Sequence, residues 1–358
     1  MTKITARQIA AQTGVSIATV SRTINNNGYV HADVRARIEA AMRDLGYLPN
    51  QAARNLATGR TRTVGLVLQT LHSPAFVDMT EAIQMTLREK GYFLLMCNTQ
   101  FNQQIETDYL RLVQSGMLDG MITNAINDTA TEMRQLVQQN YPIVFINRSL
   151  TGIEGQPTRT GFVQMDLQHA TFLATDYLAG LGHRRIGVIT GDMQLSTQQR
   201  RLGGYREALQ ARGLEFDPLL VQAVAVNRNE ATRDGQLTPK NANALHEATV
   251  QATGEFLTAM PDVSALIVIY HTMLPGVLQA IRQVGRRVPD DLSLVAFSDF
   301  PMAPFLDPPL TVVAQPSTEM GHKAADMLVA LIEQPAQPAQ HVLLRPELIV
   351  RQSCKPYP

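Results

Sequence analysis

Short apolar runs alternate with amphipathic helical stretches along most of this chain, in two successive sets. Parallel strands need this order, because a crossover of a dozen or more residues, usually a helix, must separate one strand from the next. The alternation therefore predicts two similar α/β lobes, each a doubly wound parallel sheet with helices on both faces. The first set has apolar runs at 64–68, 92–98, 120–123 and 143–147, and the second at 185–190, 219–226, 265–270 and 292–297.

The first 62 residues have a different pattern and predict three short helices. Thr5 is the expected cap of the first helix, which ends at Gly14, and Ser16 is the expected cap of the second. The third helix is expected over 31–45, with an apolar stripe along one side. Two helices joined by a tight Gly14-Val15 turn form a helix-turn-helix pattern, whose second helix can lie in the major groove of DNA.

Charge is distributed unevenly between this region and the rest of the chain. Residues 1–62 hold nine lysines and arginines against three acidic residues, a net charge of +6. The whole chain has 31 of each sign, so the remaining residues carry −6. A basic head on an acidic body is typical of a nucleic-acid-binding domain joined to a second unit.

Composition and motifs exclude several classes of protein. The length of 358 residues suggests two or three domains. The sequence has neither an apolar run of 18 residues nor an apolar signal region, so we expect a cytoplasmic protein. Cys97 and Cys354 are far apart, and we expect reduced thiols. No strand is followed by G-x-G-x-x-G, and G-x-x-x-x-G-K-[ST] is absent. We therefore expect no cofactor, no metal and no catalysis.

The second helix carries the side chains suited to DNA. Ser16, Thr19 and Ser21 can bind phosphates or base edges. Arg22 can hold a guanine through a bidentate contact, worth about 1–3 kcal/mol of discrimination. Ile17 and Ala18 are apolar and can offer only methyl contact, for example to thymine.

A long N-terminal stretch closely resembles the headpiece and hinge of the lactose-repressor family of bacterial transcription factors. It carries GVSIATVSRTIN, a third helix ending in LGYLPN, and NQAARNLATGRT. Further blocks resemble the family's core: LGHRRIGVITG, RLGGYREAL, RRVPDDLSLVAFSDFPMAPFLDPPLTVVAQP and EMGHKAADMLVALI. The resemblance is weakest at about 215–260.

The resemblance implies a domain plan and partners. It implies an all-α headpiece over 1–48, a hinge helix and linker over 49–61, and a core over 62–358 similar to periplasmic sugar-binding proteins. Lobe one is then expected over about 62–162 and 293–320, and lobe two over about 163–292 and 321–350. A homodimer is expected, bound to a palindromic double-stranded DNA operator and controlled by a small, sugar-type effector between the lobes. Repression is the family's commoner mode.

The resemblance also implies the DNA-binding positions. In the family, paired hinge helices enter the minor groove, and a leucine wedges into the central base step, which bends the site. Leu56 occupies that position here. The candidate DNA-binding residues are Thr5, Ser16, Ile17, Ala18, Thr19, Ser21, Arg22, Asn25, Tyr47, Asn50, Ala53, Arg54 and Leu56.

The effector positions follow the family pattern only in part. Arg201 stands where a family arginine binds the ligand, and the other implied pocket positions are Phe76, Asn147, Met165, Thr197, Tyr270 and Ser298. Tyr270-His271 replaces the usual Asn-Asp, and Ser298 replaces the first Asp of Gly-Phe-Asp-Asp. Those two lost side chains accept hydrogen bonds from sugar hydroxyls in sugar-binding members.

Several consequences of these departures stay open at the level of sequence. Arg201 is cationic at any working pH, and its planar fork matches a carboxylate or phosphate, so one hypothesis is an anionic ligand such as a sugar acid or sugar phosphate. Alternatively, Asp299 supplies the missing acid. Tyr270 could also stack on a neutral sugar, or fill the cleft and leave a regulator without a small-molecule response.

A transport-type solute-binding protein is the alternative from another class. The two lobes would suit it, but the basic headpiece and the missing signal region argue against it. The tail over 341–358 predicts one strand and a short end, with no leucine heptads for a coiled coil. The polar stretch over 227–243 predicts a long loop of unassigned role.

Overall fold

The chain divides into two compact units, Met1–Arg62 and Thr63–Pro358. A computed structural model describes residues 4–25, 27–47, 55, 59–71, 73–100, 102–124, 131–148, 150, 152–153, 158–191, 193, 195–224, 239–336 and 340–358. Among these residues, no helix has the length and hydropathy of a membrane span.

The first unit contains the three predicted helices: α1 (Ala6–Thr13), α2 (Ile17–Asn25) and α3 (Ala32–Asp44). The backbone N–H of Thr5 donates to Gln8 Oε1 at 2.8 Å, which fixes the start of α1. Gly14 ends α1 in the left-handed conformation at φ 65°, where glycine avoids the steric penalty of a Cβ. One small core joins the three helices through Ile9, Ala10, Val20, Ile38 and Ala41.

The second unit alternates strands and helices as the sequence predicts. Its strands are β1 (Thr63–Leu68), β2 (Phe93–Asn98), β3 (Gly120–Thr123), β4 (Ile143–Ile146), β5 (Thr160–Met165), β6 (Ile186–Thr190), β7 (Val221–Ala223), β8 (Ala265–Val268), β9 (Ser293–Phe297), β10 (Thr311–Ala314), β11 (His341–Leu344) and β12 (Glu347–Ile349). Its helices are α4 (Pro74–Glu89), α5 (Gln103–Gln114), α6 (Thr131–Gln138), α7 (Leu167–Gly180), α8 (Ser196–Ala211), α9 (Pro239–Ala259), α10 (Leu274–Gln283) and α11 (Ser317–Glu333).

The strands form two six-stranded sheets, which confirms the predicted pair of lobes. The first sheet has the order β11-β5-β4-β3-β1-β2 and is parallel throughout. The second has the order β12-β10-β9-β8-β6-β7 and is parallel except for β12. The central strands β4 and β8 are buried along their whole length, as expected for strands covered on both faces.

Backbone hydrogen bonds show that the two lobes repeat one arrangement. The N–H after β3 donates to β1, from Asn124 to Val67 O, and the N–H after β8 donates to β6, from Ile269 to Ile189 O. A second pair matches in the same way, because the residues after β4 and β9 donate to β5 and β10. Corresponding strand ends in the two lobes can therefore be compared position by position.

The predicted lobe boundaries are wrong at the C-terminal side. The segment 293–320 does not join lobe one: β9 pairs with β8 and β10 pairs with β9, both in the second sheet. Conversely, α11 packs on α4 and on the first sheet, and β11 pairs with β5. The chain thus crosses between lobes after β5, after β10 and after β11.

The tail also differs from the prediction of a single strand. It forms two strands, β11 and β12, which belong to different sheets. Arg345-Pro346 separates them, and a proline cannot donate to a sheet ladder. Two other strands, β5 and β10, were not predicted from the apolar runs of the sequence. They lie directly before the first two crossings.

The contact between α11 and α4 in lobe one depends on a glycine. A Cβ at Gly321 would lie 2.5 Å from the carbonyl oxygen of Met79 and 2.7 Å from Cβ of Ala82. Both are atoms of α4 that cannot rotate away. The close approach of the two helix backbones therefore requires a residue without a side chain at position 321.

We expect Gly321→Ala to destabilise the core by about 1–3 kcal/mol through overpacking. Gly254→Ala is the matched control, because Gly254 lies in α9 with no atom within 4 Å of the added methyl group. That control should raise the melting temperature slightly, since alanine is the better helix former. Thermal unfolding of both variants tests this, and equal shifts in the same direction would contradict it.

His183 is a buried polar group that connects the C-terminal tail to the second sheet. Its Nδ1 lies 2.9 Å from Ser264 Oγ, and its Nε2 lies 2.9 Å from Ser293 Oγ and 3.1 Å from the carbonyl oxygen of Lys355. The ring also packs on Tyr357, with 5.3 Å between centroids. Burial lowers the pKa of His183, so the folded protein holds the neutral ring.

This lowered pKa predicts a loss of stability in acid. The unfolded chain takes up the His183 proton near the ordinary pKa of 6.5, before the folded chain does. The stabilisation is therefore complete above that pH and is lost as the pH falls below it. Melting temperatures from pH 8 to pH 5 should fall more steeply for the natural protein than for His183→Gln, which cannot titrate. Parallel curves would contradict the assignment.

Both cysteines are free thiols, as the sequence predicts. Burial raises the pKa of Cys97 and that of Cys354 to about 11 each. Both thiols are therefore protonated at neutral pH and poorly reactive.

Candidate DNA-binding surface and ligand site

Ser16 starts the recognition helix α2 by capping it. Its Oγ accepts from the backbone N–H of Thr19 at 3.1 Å and lies 2.8 Å from the Thr19 hydroxyl. Val20 and Thr23 turn inward and are buried. Packing of this inner face orients α2 so that its opposite face points to solvent.

The exposed face of α2 carries most of the predicted DNA-binding residues. Ser16, Ile17, Ala18, Ser21, Arg22 and Asn25 are exposed, and Thr19 is partly so. Ile17 has 47% of its surface exposed although it is a large apolar residue. An exposed isoleucine on an otherwise polar helix face is unusual for a solvated surface and is suited to contact with thymine methyl groups.

The remaining predicted DNA-binding residues lie at the ends of this unit or beyond the described part of it. Thr5 is exposed at the start of α1, and Tyr47 packs against the small core. Asn55 is helical. The predictions for Asn50, Ala53, Arg54 and Leu56 lie outside the described residues.

In lobe two, the structure brings Arg201 together with two aromatic rings. Cζ of Arg201, on α8, lies 5.3 Å from the ring centroid of Tyr270 and 5.8 Å from that of Phe297. Tyr270 follows β8 and Phe297 ends β9, so both rings stand at the carboxyl edge of the sheet, where ligands bind in open α/β folds. Burial lowers the pKa of Arg201, and the electrostatic interaction with Tyr270 partly counters this shift.

The charge of Arg201 has no acidic partner among the described residues. Its Nε is buried and without a hydrogen-bond partner there. An unpaired buried N–H costs about 1–3 kcal/mol, which a ligand oxygen would recover. The site is therefore positive and has a donor to offer.

Asp299 does not supply the acid that this site lacks. Its two carboxylate oxygens accept from Nη2 of Arg351, at 2.9 and 3.0 Å. Arg351 also donates to the carbonyl oxygen of Leu310, which fixes the pair at the base of β10. In this arrangement the carboxylate of Asp299 is therefore engaged by Arg351 and not by Arg201.

Sequence reasoning missed a glutamine, Gln198, that contacts Tyr270. We call Gln198, Arg201, Tyr270 and Phe297 the lobe-two wall. Gln198 is buried, its Nε2 donates to Tyr270 Oη, and its Oε1 accepts from Thr190 Oγ1 at 3.0 Å. The preceding Thr197 is buried, and its hydroxyl has no partner in the described part of the chain. A signal was present, since Gln198 and Arg201 are three residues apart on α8 and so share a face.

In lobe one, the predicted residues also stand at strand ends. Asn147 follows β4 at φ 57°, and its Oδ1 accepts from the N–H of Met165 at 3.0 Å. Met165 is buried at the end of β5, and Phe76 is partly buried at the start of α4. Asn147 thus joins two strand ends.

Sequence reasoning missed a polar group beside these residues. Asn124 follows β3 and is buried, and its Oδ1 has no hydrogen-bond partner among the described residues. The hydroxyls of Thr99 and Thr123 are also buried without a hydrogen-bond partner among the described residues. Unpartnered buried polar atoms are rare in folded proteins, so their concentration at these strand ends makes this edge of the first sheet a candidate site for a polar ligand.

Ser298 occupies the position in lobe two that Asn147 occupies in lobe one. Its N–H donates to Val313 O at 2.9 Å, and its φ is 70°. Asparagine tolerates this left-handed conformation, whereas serine adopts it less readily. Backbone strain of this kind collects at ligand sites. The two equivalent turns therefore mark both sides of one candidate site.

Two sequence profiles each match part of one of the two units of the chain. Residues 5–50 match bacterial regulatory proteins of the lacI family, and residues 175–354 match a periplasmic binding protein-like domain. The ribose operon repressor of Bacillus subtilis is 31% identical over 329 residues, which are 92% of each chain. This chain belongs to the lacI family of bacterial regulatory proteins.

Other relatives of this lacI-family chain cover it almost completely. The HTH-type transcriptional regulator CelR of Thermobifida fusca is 32% identical over 98% of both chains. A solved complex of the transcriptional regulator CelR with cellobiose is 28% identical, with a TM-score of 0.69, and covers 98% of this chain and 100% of its own. The lac repressor dimer bound to operator has a TM-score of 0.79 at 23% identity, covers 98% of this chain and 99% of its own, and supports the fold.

Membership of the family settles the class of function. The chain is a DNA-binding transcriptional regulator and not an enzyme. Its helix-turn-helix is the DNA-reading part, and its two-lobed core is the part that the periplasmic binding protein-like profile describes.

Proposed function

We propose that this regulator is a homodimeric repressor whose operator affinity is controlled by an anionic, carbohydrate-type ligand held between the core lobes. The observation that carries the proposal is Arg201, a guanidinium between two aromatic rings with no carboxylate beside it in the described part of the chain. Repression is supported by relatives described as ribose operon repressors.

Operator reading is assigned to the exposed face of α2. A two-fold dimer presents two copies of this face to two half-sites, so the operator is a palindrome. Arg22 is the side chain suited to bidentate guanine contact, while Ile17 and Ala18 favour thymine methyl groups. The basic charge of residues 1–62 supplies the phosphate attraction that any sequence would share.

Selection from random duplexes tests the operator assignment, and we expect a palindrome to be enriched. Arg22→Ala should weaken binding to that palindrome roughly ten- to a hundredfold and relax one base position, as the loss of one bidentate contact predicts. Arg43→Ala is the control, because it removes the same charge from an exposed position of α3. Equal losses for both variants would show that Arg22 contributes only charge.

The dimer is supported by an exposed apolar surface on lobe one. Phe93, Leu95 and Met96 lie on β2, the edge strand of the first sheet, and Val77 and Met85 lie exposed on α4. Phe93 has 69% of its surface exposed. An apolar edge strand left open invites pairing with another chain, so a second copy of this protein is the natural cover.

The anionic ligand is supported by the balance of charges around Arg201. Asp299 is held by Arg351, and position 298 is a serine. A sugar alone would leave the guanidinium without a counter-charge, and a buried unpaired charge is costly. A carboxylate or phosphate supplies the counter-charge and fits the fork of the guanidinium.

A neutral sugar is the second candidate, and a specific observation favours it. The CelR complex contains cellobiose, and a neighbouring lacI-family structure contains ribose. Tyr270 is an aromatic ring at the cleft edge, on which a sugar ring can stack. The two candidates differ in what they require of Arg201.

We expect Arg201→Ala to abolish the effect of an anionic ligand on operator binding, because the ligand loses a charged hydrogen bond that contributes about 1.5–3 kcal/mol. Operator binding without ligand should stay within about twofold of the natural protein. Fluorescence anisotropy on operator DNA, with sugar acids, sugar phosphates and their neutral parents, measures both. Arg206→Ala on the same helix is the control, because Arg206 is exposed and packs on Phe216. A response to neutral sugars alone would contradict the anionic ligand.

A further inference from the structure

Gln198 links two parts of the lobe-two wall. It lies in the first turn of α8, and its amide bridges Thr190 at the end of β6 and Tyr270 after β8. The glutamine is 1% exposed and Thr190 is 2% exposed. Such a buried bridge between two strand ends holds both partners in one geometry, because every alternative leaves a buried polar atom unpaired.

The direction of these hydrogen bonds decides what Tyr270 presents to a ligand. Gln198 Nε2 donates to Tyr270 Oη, and the Arg201 guanidinium lies against the ring of the same tyrosine, with Cζ 5.3 Å from the ring centroid. A phenol oxygen has two acceptor positions and one hydrogen. Because Tyr270 Oη accepts the hydrogen bond from Gln198, the hydroxyl hydrogen of Tyr270 is not given to Gln198 and is available to a ligand.

The amide acceptor of Gln198 is also used. Its Oε1 accepts from Thr190 Oγ1 and so is turned away from Tyr270. The hydrogens that Tyr270 and Arg201 offer a ligand are therefore the phenol O–H and the guanidinium N–H groups, including that of the unpartnered Nε. A carboxylate or phosphate brings only acceptors, whereas each sugar hydroxyl also brings a hydrogen that needs an acceptor.

From this arrangement we infer that Gln198 is a positioning residue that sets ligand specificity: by holding Tyr270 as a donor beside Arg201, it makes the lobe-two wall select an anionic oxygen group over a neutral hydroxyl. The inference rests on the proposed anionic ligand. This inference goes beyond the proposed ligand, because it assigns the preference for an anion over a neutral sugar to Gln198, which acts through its hydrogen bond to Tyr270.

Gln198→Glu tests the inference with an isosteric change. The carboxylate cannot donate, so Tyr270 must give its hydrogen to residue 198, and the site gains a negative charge. In calorimetric titrations of the full-length protein, we use gluconate with glucose, galacturonate with galactose, and ribose 5-phosphate with ribose. The natural protein should bind at least one anion about tenfold more tightly than its neutral parent, as one extra charged hydrogen bond predicts. Gln198→Glu should bring that ratio to one or below.

A double-mutant cycle separates positioning from general loss of structure. Gln198→Leu and Tyr270→Phe should each weaken the anion by roughly tenfold, and the double variant should lose no more than either alone, because both remove the same hydrogen bond. Neutral parents should change by less than about twofold. A single cooperative unfolding transition confirms that each variant is folded, and Gln198→Leu should melt at a lower temperature because it leaves the buried Thr190 hydroxyl without its partner.

The outcomes distinguish this inference from the proposed function. Natural protein that prefers neutral sugars, or binds none of the probes, overturns the anionic ligand and this inference with it. An anion preference that survives in Gln198→Glu, or losses that add in the double variant, leave the proposed function intact and overturn the role of Gln198.

Discussion

Parallel pairing of the core strands is the constraint on which the rest of this protein depends. In a parallel sheet every strand ends at the same edge, so residues far apart in sequence meet there. Arg201 comes from a helix, and it meets Tyr270, which follows β8, and Phe297, which ends β9, at this edge. The site is thus a product of topology first and of side-chain chemistry second.

The sequence was informative where structure is local. Continuous apolar runs predicted most of the strands, and capping residues such as Thr5 and Ser16 predicted the headpiece helices, because both signals depend on neighbours within a few residues. β5 and β10 were omitted, and β5, TGFVQM, mixes polar with apolar residues. The exchange of segments between lobes was mispredicted, because pairing β9 with β8 joins residues that no local pattern connects.

The residues of the candidate site also divide into those that the sequence predicted and those that depend on long-range contacts. Arg201 and Tyr270 were named from the family pattern and its departures, and the structure brings them together. Gln198 was missed because its importance comes from contacts with residues on two different strands, one of them 72 positions away. The fate of Asp299 could not be read either, since its partner Arg351 stands 52 residues later, beside β12.

The triple crossing between the lobes has a consequence for how the core can be divided. Neither lobe is a continuous stretch of chain, because lobe one takes back α11 and β11 after lobe two has begun. A single cut in one crossing would leave the lobes tied by the other two, and no truncation of the chain yields either lobe whole.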